Sequence, residues 1–325
     1  MIDVAVVGAG PCGLAAAIAA QRAGLRAVTF DGSCLVSGIY GYPTNLIFFS
    51  TAEKLAIGDV PFSCAAEKPT RRDALAYYRA VATHFALELR QYETVERVSR
   101  EADGAFTLHT RPRGGEPRAE RARAVVIATG YFGRPNLLGV PGEDLPHVTH
   151  FFREGHEAFA QEVVVVGGGN SATEAALDLY RAGAKVTIVH FGPLLDPNIK
   201  PWVLPDITGR LNEGAIQSRF DARVTAIGHT HVTISSPRGS ERLPARHVYL
   251  MVGFQPSTTL LEQLGVPIDA GTGIPKHDPA TMETSVPGVY IAGVLASGCN
   301  ANKTFIENGR HHGALIVTRL ARAAS

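Results

Sequence analysis

Two stretches of the chain, 3–31 and 162–190, follow the same plan, and this repeat constrains the fold more than any other feature. Each begins with a run of β-branched apolar residues, passes through a glycine-rich turn, continues in a helical Ala/Leu pattern and ends in a second apolar run. The apolar runs lack polar alternation, as is typical of parallel strands covered on both faces. Each helical stretch is followed by Ala-Gly, a C-terminal helix signal. The sequence therefore predicts an α/β fold with two Rossmann-like βαβ units.

The first glycine-rich turn has the GxGxxG spacing of a dinucleotide-binding loop. We expect Gly8 to permit the tight turn, Gly10 to let the backbone approach a pyrophosphate, and Gly13 to let helix and strand pack closely. Pro11 and Cys12 open the helix, whose exposed N–H groups and dipole would face the phosphate. The loop therefore predicts a dinucleotide site, and the alternative is a glycine-rich turn in an ordinary α/β domain.

An acidic residue marks the ribose end of the first predicted site but not of the second. Asp31 follows Gly8 by 23 residues, at the end of the second apolar run, where a carboxylate can accept hydrogen bonds from both ribose hydroxyls. His190 stands at the matching position of the second unit. A neutral or cationic residue there tolerates a 2′-phosphate, which favours NADPH over NADH, with Lys200 as a candidate second cationic contact; alternatively, His190 is a solvent-facing strand end. The other predicted contacts of this GxGxxA loop are Gly167, Gly169, Asn170 and Ser171.

Charge, hydropathy and cysteine spacing exclude several classes of function. The 325 residues include 31 basic and 30 acidic side chains, for a net charge of +1, so a nucleic-acid partner is not expected. No stretch approaches the ~20 apolar residues that cross a bilayer, and the chain lacks a targeting segment, so we expect a cytoplasmic protein that does not bind membranes. The four cysteines show neither a CxxC pair nor zinc-like spacing, which indicates no metal site and thiol chemistry by single cysteines.

Two further segments resemble motifs of a known flavoprotein group. "AVVIATGYFGRPN" (124–136) and "TSVPGVYIAGVLASG" (284–298) are similar to the strand-plus-ATG motif and the late FAD-contact motif of the two-dinucleotide-binding-domain flavoproteins, which include thioredoxin and glutathione reductases. The resemblance implies FAD on the first unit and a nicotinamide nucleotide on the second, with the second domain inserted into the first. It places Thr129, Gly130, Gly293 and Val294 among the FAD contacts. The implied FAD domain spans 1–135 and 253–325, and the implied NADPH domain spans 136–252.

The sequence departs from this group at two places. Thioredoxin reductases carry an acid after the last Ala-Gly, to bind the flavin ribityl chain, whereas this chain has Gly293-Val294. Backbone N–H groups of these two residues are the expected substitutes. The CxxC that follows the second glycine turn of thioredoxin reductases is replaced here by Asn170 and Ser171, and the CxxxxC of glutathione reductases is also missing. A thioredoxin reductase of the usual kind is therefore excluded.

A narrower resemblance fits both departures. The chain resembles the FAD-dependent bacillithiol disulfide reductases, also called bacilliredoxin reductases. The segments that carry this resemblance are "GPCGL" (10–14), "YGYPTNLIFFSTAEKLAIGDVPF" (40–62), "KPTRRDALAYYRAV" (68–81), "KPWVLPD" (200–206), "IAGV" (291–294) and "FIENGRHHG" (305–313). The resemblance implies NADPH-dependent reduction of bacillithiol disulfide or bacilliredoxin, a homo-oligomer, and a redox role for the cysteine of GPCG, which is Cys12.

The chemistry of Cys12 remains open at the level of sequence. A helix N-terminus stabilises a thiolate and lowers the pKa of the thiol, whereas a bound pyrophosphate would raise it. The alternative is a small, inert cysteine packed against the cofactor. Cys299 and Cys34 are rival exchanging or resolving thiols, and Cys64 is expected to be structural.

Several other side chains are weaker candidates. Glu307, His311 and His312 could donate a proton to a leaving thiolate, and Tyr42 and Phe49 could flank a flavin, although caps and core packing explain these residue types equally well. The rival functions are a ferredoxin or flavodoxin NADP reductase, a flavin monooxygenase, and a redox-sensing protein in which NADP(H) sets conformation.

Overall fold

The computed structural model describes residues 1–300 and 303–324. In chain order the strands are β1 (Ile2–Val7), β2 (Ala27–Asp31), β3 (Glu88–Gln91), β4 (Glu93–Arg100), β5 (Phe106–Pro112), β6 (Arg118–Ile127), β7 (Val148–Thr149), β8 (Glu162–Val166), β9 (Lys185–Val189), β10 (Gln217–Arg219), β11 (Arg223–Ile227), β12 (His231–Ser236), β13 (Gly239–Pro244), β14 (His247–Leu250) and β15 (Val289–Ile291). The helices are α1 (Pro11–Arg22), α2 (Ser37–Tyr40), α3 (Ala52–Leu55), α4 (Arg71–His84), α5 (Asn170–Arg181), α6 (Leu204–Asn212), α7 (Thr259–Gln263), α8 (Ile306–Gly309) and α9 (His312–Ala324). Short 3-10 turns lie at His156–Ala158 and Gly293–Ser297.

The chain divides into two compact units, each with its own sheet and apolar core. The first unit comprises Met1–Gly41, Leu46–Arg134 and Phe254–Ser325, and the second comprises Tyr42–Asn45 and Pro135–Gly253. The second unit therefore interrupts the first, and it also takes in a short segment, 42–45, that the sequence did not single out. Within that unit, the Thr44 N–H donates to the Arg153 carbonyl at 2.8 Å.

The two segments that join the units are hydrogen-bonded close to each boundary. On the first unit's side, the Gln255 N–H donates to the Arg134 carbonyl at 2.7 Å. On the second unit's side, the Asn136 N–H donates to the Gly253 carbonyl at 3.0 Å, and Asn136 Nδ2 donates to the Val252 carbonyl at 3.0 Å. The outgoing and returning segments are therefore paired where the chain passes from one unit to the other.

The sheet of the first unit has the strand order β3-β2-β1-β6-β5-β4, with β15 also paired to β6. Strands β3, β2, β1, β6 and β15 run parallel, whereas β5 and β4 are antiparallel additions. Strand β6 is long enough to serve two partners along one side: its first half pairs with β5, and its last three residues pair with β15. The inner strands are apolar and buried because helices or other strands cover both faces of a parallel sheet.

The register of this sheet brings four loops to one edge. Val7 lies beside Phe30 and Ile127, and Ile127 lies beside Ile291. The residues that follow these four strand ends are therefore neighbours at the carboxyl edge, where ligands of open α/β sheets bind. The first glycine loop, Asp31, the ATG segment and Gly293 all begin at this edge.

The second unit repeats the arrangement with the strand order β10-β9-β8-β14-β7, all parallel. A separate antiparallel sheet, β11-β12-β13, packs its apolar side chains into the core that also contains residues of β8 and β14. Val166, Val189 and Leu250 end adjacent strands in register, so the second glycine loop and His190 start from one edge. The predicted α/β fold with two Rossmann-like units is confirmed.

Two helices of the first unit have recognisable sequence signals at their ends. Helix α1 has Pro11 in its first turn and is followed by Gly24 at φ +76°, the proline-first, glycine-last pattern of helices. Helix α4 starts with a capping box, in which Thr70 and Asp73 each accept a backbone N–H from the other. Among residues 1–300 and 303–324, no helix has the length and apolar character to cross a bilayer.

Candidate active site

The three glycines of the first loop have different surroundings. Gly8 has φ +111°, and a Cβ there would lie 2.3 Å from the Ala128 carbonyl oxygen. A Cβ on Gly13 would lie 1.9 Å from the Gly8 carbonyl oxygen, whereas a Cβ on Gly10 would meet no atom within 4 Å. Gly8 and Gly13 are therefore needed for the close packing of turn, helix and strand. Gly10 faces open space at the point where the sequence predicts a pyrophosphate.

The N-terminus of α1 is free of side-chain caps. Gly10 is the N-cap residue and provides no side-chain acceptor, and α1 has no acidic residue in its first turn. The first N–H groups of a helix have no intrahelical partner, and the helix dipole favours a negative charge beside them. The open space over Gly10 and these donors together fit a pyrophosphate group.

Asp31 holds the glycine loop in place. Its Oδ2 accepts a hydrogen bond from the Ala9 N–H at 2.8 Å, and its Oδ1 accepts one from the Ser33 N–H at 2.8 Å. Burial raises the pKa of the Asp31 carboxyl, and these backbone donors oppose the rise. Each carboxylate oxygen has two lone pairs, so the predicted ribose contact is compatible with these bonds and stays a prediction.

The thiol of Cys12 is enclosed by two glycines from the C-terminal part of the first unit. A Cβ on Gly293 would lie 3.1 Å from Cys12 Sγ, and a Cβ on Gly309 would lie 2.8 Å from it. The Cys12 residue is partly exposed, but its thiol is buried, and this burial raises the pKa to about 12. A thiol with this pKa is protonated at neutral pH, so burial affects Cys12 more strongly here than the helix N-terminus does.

The imidazole of His312 contacts the same glycine as the Cys12 thiol. The Gly293 N–H donates to His312 Nδ1 at 3.1 Å. Burial, followed by the nearby His277 and His311, lowers the pKa of His312 to about 4, so this side chain is neutral at pH 7. The Gly293 N–H is thus engaged within the protein, and Val294, which is partly exposed, becomes the better candidate of the two for the predicted ribityl contact.

The ATG segment lies at the same edge of the first sheet. The Thr129 hydroxyl donates to the Ser257 carbonyl at 3.2 Å. Gly130 has φ +72°, and a Cβ there would meet no atom within 4 Å. Both residues are partly exposed, as residues lining a ligand site would be.

The second glycine loop reproduces the first in its main features. Gly167 has φ +136°, and a Cβ there would lie 2.4 Å from the Met251 carbonyl oxygen and 3.2 Å from the Ala172 side chain. Gly169 is the uncapped N-cap residue of α5, and a Cβ on it would meet nothing within 4 Å. This cradle also fits the phosphates of a dinucleotide.

His190 and Asn170 both shape this second loop. A Cβ on Gly168 would lie 2.6 Å from the His190 ring, so the imidazole covers that glycine. Burial lowers the pKa of His190, with Asp196 opposing, and its Nδ1 has no hydrogen-bond partner in the described part of the chain. His190 is therefore neutral at pH 7. Asn170 Nδ2 donates to the Asn198 carbonyl at 3.1 Å, and its Oδ1 accepts from the Lys200 N–H at 2.9 Å, while Ser171 is exposed beside it.

Glu174, on α5, is a titratable residue of this region that the sequence analysis missed. Burial raises the pKa of its carboxyl to about 7, and the charge of Lys200 opposes the rise. The only signal in the sequence is an acid among the alanines of a helical stretch, which also describes many solvent-exposed residues.

The remaining candidates lie in varied surroundings. Glu307 accepts a hydrogen bond from the Ser50 hydroxyl and so links α8 to the segment before α3. Cys299 is exposed, its Sγ packs against Gly273, and Cys64 Sγ donates to the Ala66 carbonyl at 2.9 Å. All four cysteines are unpaired. Cys34 and Phe49 are partly buried in the first unit, His311 is exposed there, and Tyr42 belongs to the segment that clusters with the second unit.

Comparisons with known proteins agree in naming a redox family. A family model described as pyridine nucleotide-disulphide oxidoreductase matches residues 5–293. A bacilliredoxin reductase of Bacillus subtilis is 42% identical over 98% of this chain and 97% of its own length. The solved bacillithiol disulfide reductase of Bacillus cereus is 42% identical, with a TM-score of 0.97 over 99% of both chains. A ferredoxin–NADP reductase of Ignicoccus hospitalis is 30% identical over 90% of each chain.

Proposed function

We propose a specific reaction for this chain, which belongs to the pyridine nucleotide-disulphide oxidoreductase family and, within it, to the bacilliredoxin reductases. The chain is an oxidoreductase. Its proposed reaction is the NADPH-dependent reduction of bacillithiol disulfide, or of bacilliredoxin carrying a disulfide with bacillithiol, by way of FAD. The resemblance of the whole chain to enzymes named for these substrates supports the choice.

The two glycine loops support the assignment of the cofactors. FAD would bind the first unit at the loop of Gly8 and Gly10, and NADPH would bind the second unit at the loop of Gly167 and Gly169. When bound, FAD would accept a hydride from NADPH and supply two electrons to a disulfide. Both loops combine open space at one glycine with an uncapped helix N-terminus, and this donor set suits the phosphates of both nucleotides.

The observation that carries the proposal is the placement of the Cys12 thiol within the first dinucleotide loop. In thiol–disulfide exchange, a thiolate attacks one sulfur of the substrate disulfide, a new disulfide to that sulfur forms, and the other substrate sulfur leaves as a thiolate. Cys12 would be the attacking thiol, and the two electrons supplied through FAD would then cleave the mixed disulfide, which releases the second substrate thiolate and restores the thiol of Cys12. Helix α1 presents its N-terminal N–H groups and dipole to this residue, and these stabilise the thiolate once the proton is removed.

The test compares wild type with Cys12→Ser at equal FAD content, by following NADPH oxidation with bacillithiol disulfide and bacilliredoxin as acceptors. Cys64→Ser is the matched control, because Cys64 lies outside the glycine loops and its Sγ donates to the carbonyl of Ala66, two residues further along the chain. We expect disulfide-dependent turnover to fall at least 100-fold in Cys12→Ser and to be unchanged in Cys64→Ser, while NADPH still bleaches the flavin in both. Full turnover by Cys12→Ser would refute the thiol relay.

A second function is favoured by the ferredoxin–NADP reductase relative at 30% identity. Such an enzyme would need no cysteine and would reduce a one-electron acceptor. Equal reduction of ferredoxin or flavodoxin by wild type and Cys12→Ser, with no response to either disulfide, would support this alternative and overturn the disulfide reductase. The cytoplasmic location and the homo-oligomer implied by the family resemblance remain predictions.

A further inference from the structure

The second unit needs a cation for the phosphate that distinguishes NADPH from NADH. In a Rossmann unit this 2′-phosphate lies beyond the end of the second strand, where a nearby arginine accommodates it. The corresponding strand here is β9, and the residue after it is His190. His190 packs on Gly168, and its pKa is lowered by burial. A neutral imidazole in that position does not supply the charge.

Two other cations of the second unit, Lys200 and Arg219, act on carboxyl groups of the protein. The Lys200 N–H donates to Asn170 Oδ1, and the positive charge of the side chain acts on the buried carboxyl of Glu174. Arg219, at the end of the neighbouring strand β10, forms a two-bond ion pair with Glu241, with Nε–Oε2 at 2.8 Å and Nη2–Oε1 at 2.9 Å. Arg219 is therefore neutralised by Glu241, and the charge of Lys200 acts on the carboxyl of Glu174.

A third cation, Arg223, lies beside the end of β9 because the residues before it are hydrogen-bonded to the segment that follows this strand. The Ala222 N–H donates to the His190 carbonyl at 3.0 Å, and the Asp221 N–H donates to the Gly192 carbonyl at 3.0 Å. This pairing sets the next residue, Arg223, beside the end of β9. Its guanidinium carbon lies 5.0 Å from the centre of the Phe191 ring.

The Arg223–Phe191 pair lies on the surface, next to the His190 ring, whose centre is 4.6 Å from that of Phe191. Phe191 is 62% exposed, and Arg223 is exposed at the start of β11. A cation over an aromatic ring at an exposed site is stabilised by about 0.5–1 kcal/mol. The ring thus favours one position of a guanidinium that, unlike that of Arg219, has no carboxylate partner among the ion pairs of the described residues.

We propose that Arg223, held against Phe191, binds the 2′-phosphate of NADPH and makes this enzyme select NADPH over NADH. The inference rests on the proposed binding of NADPH to the second unit and goes further by naming the residue that selects it. An arginine fits this role because its planar donors bind phosphate oxygens in pairs.

The test measures the binding of two adenosine fragments to the full-length, FAD-loaded protein by isothermal titration calorimetry in a buffer without phosphate or sulfate. Adenosine 2′,5′-bisphosphate carries the distinguishing phosphate, and 5′-AMP lacks it. We expect Arg223→Ala to weaken the bisphosphate by about 10- to 100-fold, the worth of a charge-assisted hydrogen bond or a pair of them, and to leave 5′-AMP unchanged. Arg242→Ala, an exposed arginine on β13, should match wild type for both fragments.

The outcomes separate this inference from the proposed function. If wild type prefers the bisphosphate and Arg223→Ala keeps that preference, Arg223 is not the selecting residue, although the NADPH assignment stands. If wild type binds the two fragments equally or binds neither, both the assignment and the inference fail. Arg223→Lys, which keeps the charge but loses the paired donors, should fall between wild type and Arg223→Ala. A thermal melt of each variant verifies folding, and equal loss of both fragments in a folded Arg223→Ala would also overturn the inference.

Discussion

At the scale of single residues, Cys12 shows how burial outweighs a helix terminus. A charge at a helix end is stabilised by about 0.3–1 kcal/mol, which corresponds to a fall in pKa of less than about 1. Enclosure of the thiol by Gly293 and Gly309 acts in the opposite direction, and the pKa rises to about 12. The sequence contains the helix signal but not the enclosure, since both glycines lie more than 280 positions further along the chain.

For His190, too, the sequence predicts the position of the residue but not its surroundings. Its position after β9 could be predicted from the repeat, and so could the lack of an acid there. That its ring covers Gly168, with a lowered pKa, follows from a local fold of the loop that spacing does not determine. The structural roles of the loop glycines were easier to predict, because each role depends on backbone geometry within a few residues.

Glu174→Gln should make the protein more stable at high pH and not at low pH. The folded pKa of Glu174 is about 7, above the ordinary value of 4.5, so the folded state keeps a proton that the unfolded state has released. Stability from this residue is therefore fully present below about pH 4.5 and is lost as the pH rises to 7 and beyond. We expect the melting temperature of Glu174→Gln to exceed that of wild type at pH 8, with the difference shrinking towards pH 4.5.

Glu154, exposed on the same unit, provides the matched substitution. Differential scanning fluorimetry of Glu154→Gln and Glu174→Gln at both pH values makes the comparison. An equal effect of Glu174→Gln at pH 4.5 and pH 8 would show that the carboxyl is not titrating in this range.

At the scale of elements, the βαβ units and their parallel strands could be predicted, but the pairing of more distant strands could not. Apolar runs and turn glycines are local signals, and both units appear where the repeat predicts them. The double use of β6, which pairs with β5 along one half and with β15 along the other, depends on segments separated by more than 160 residues. The antiparallel sheet β11-β12-β13 likewise has no motif that marks it.

Two alanine substitutions in one loop should separate packing from ligand binding. Gly13→Ala places a Cβ 1.9 Å from the Gly8 carbonyl oxygen, and we expect it to lower the free energy of unfolding by about 1–3 kcal/mol or more, the usual cost of overpacking. Gly10→Ala meets nothing within 4 Å, so the flavin-free protein should remain nearly as stable as wild type. The new methyl group would instead occupy the space of the proposed pyrophosphate and reduce FAD retention.

Urea denaturation of the flavin-free proteins, together with FAD titration, gives both quantities. A fully stable Gly13→Ala would contradict the helix–strand contact, and undiminished FAD affinity in Gly10→Ala would contradict the proposed phosphate cradle.

At the scale of the whole molecule, the insertion of one unit into another could be predicted because two dinucleotide motifs are separated by an ATG segment and followed by a late FAD-contact segment. The membership of 42–45 in the second unit could not, since nothing in these four residues differs from an ordinary loop.

The segment 135–253, expressed alone, should fold. It contains a complete five-stranded parallel sheet and its own apolar clusters, and a core of this kind supports independent stability. We expect a cooperative thermal transition by circular dichroism. The shorter segment 145–253 is the control, because it lacks Leu138 and Val140, which pack against that core, and it should melt at a lower temperature. A non-cooperative transition in 135–253 would mean that the second unit depends on the first.

The pairing of the two joining segments has a consequence for how such a protein can change over evolutionary time. Because Asn136 and Gly253 are hydrogen-bonded at 3.0 Å and Arg134 and Gln255 at 2.7 Å, the entry and exit points of the inserted unit are neighbours, as they are in tolerated domain insertions. A gene segment encoding another domain with adjacent ends could replace 135–253 in a single recombination event without stretching the host. Under the proposed assignment of the cofactors, such an exchange would replace the NADPH-binding unit and leave the first unit, with Cys12, unchanged.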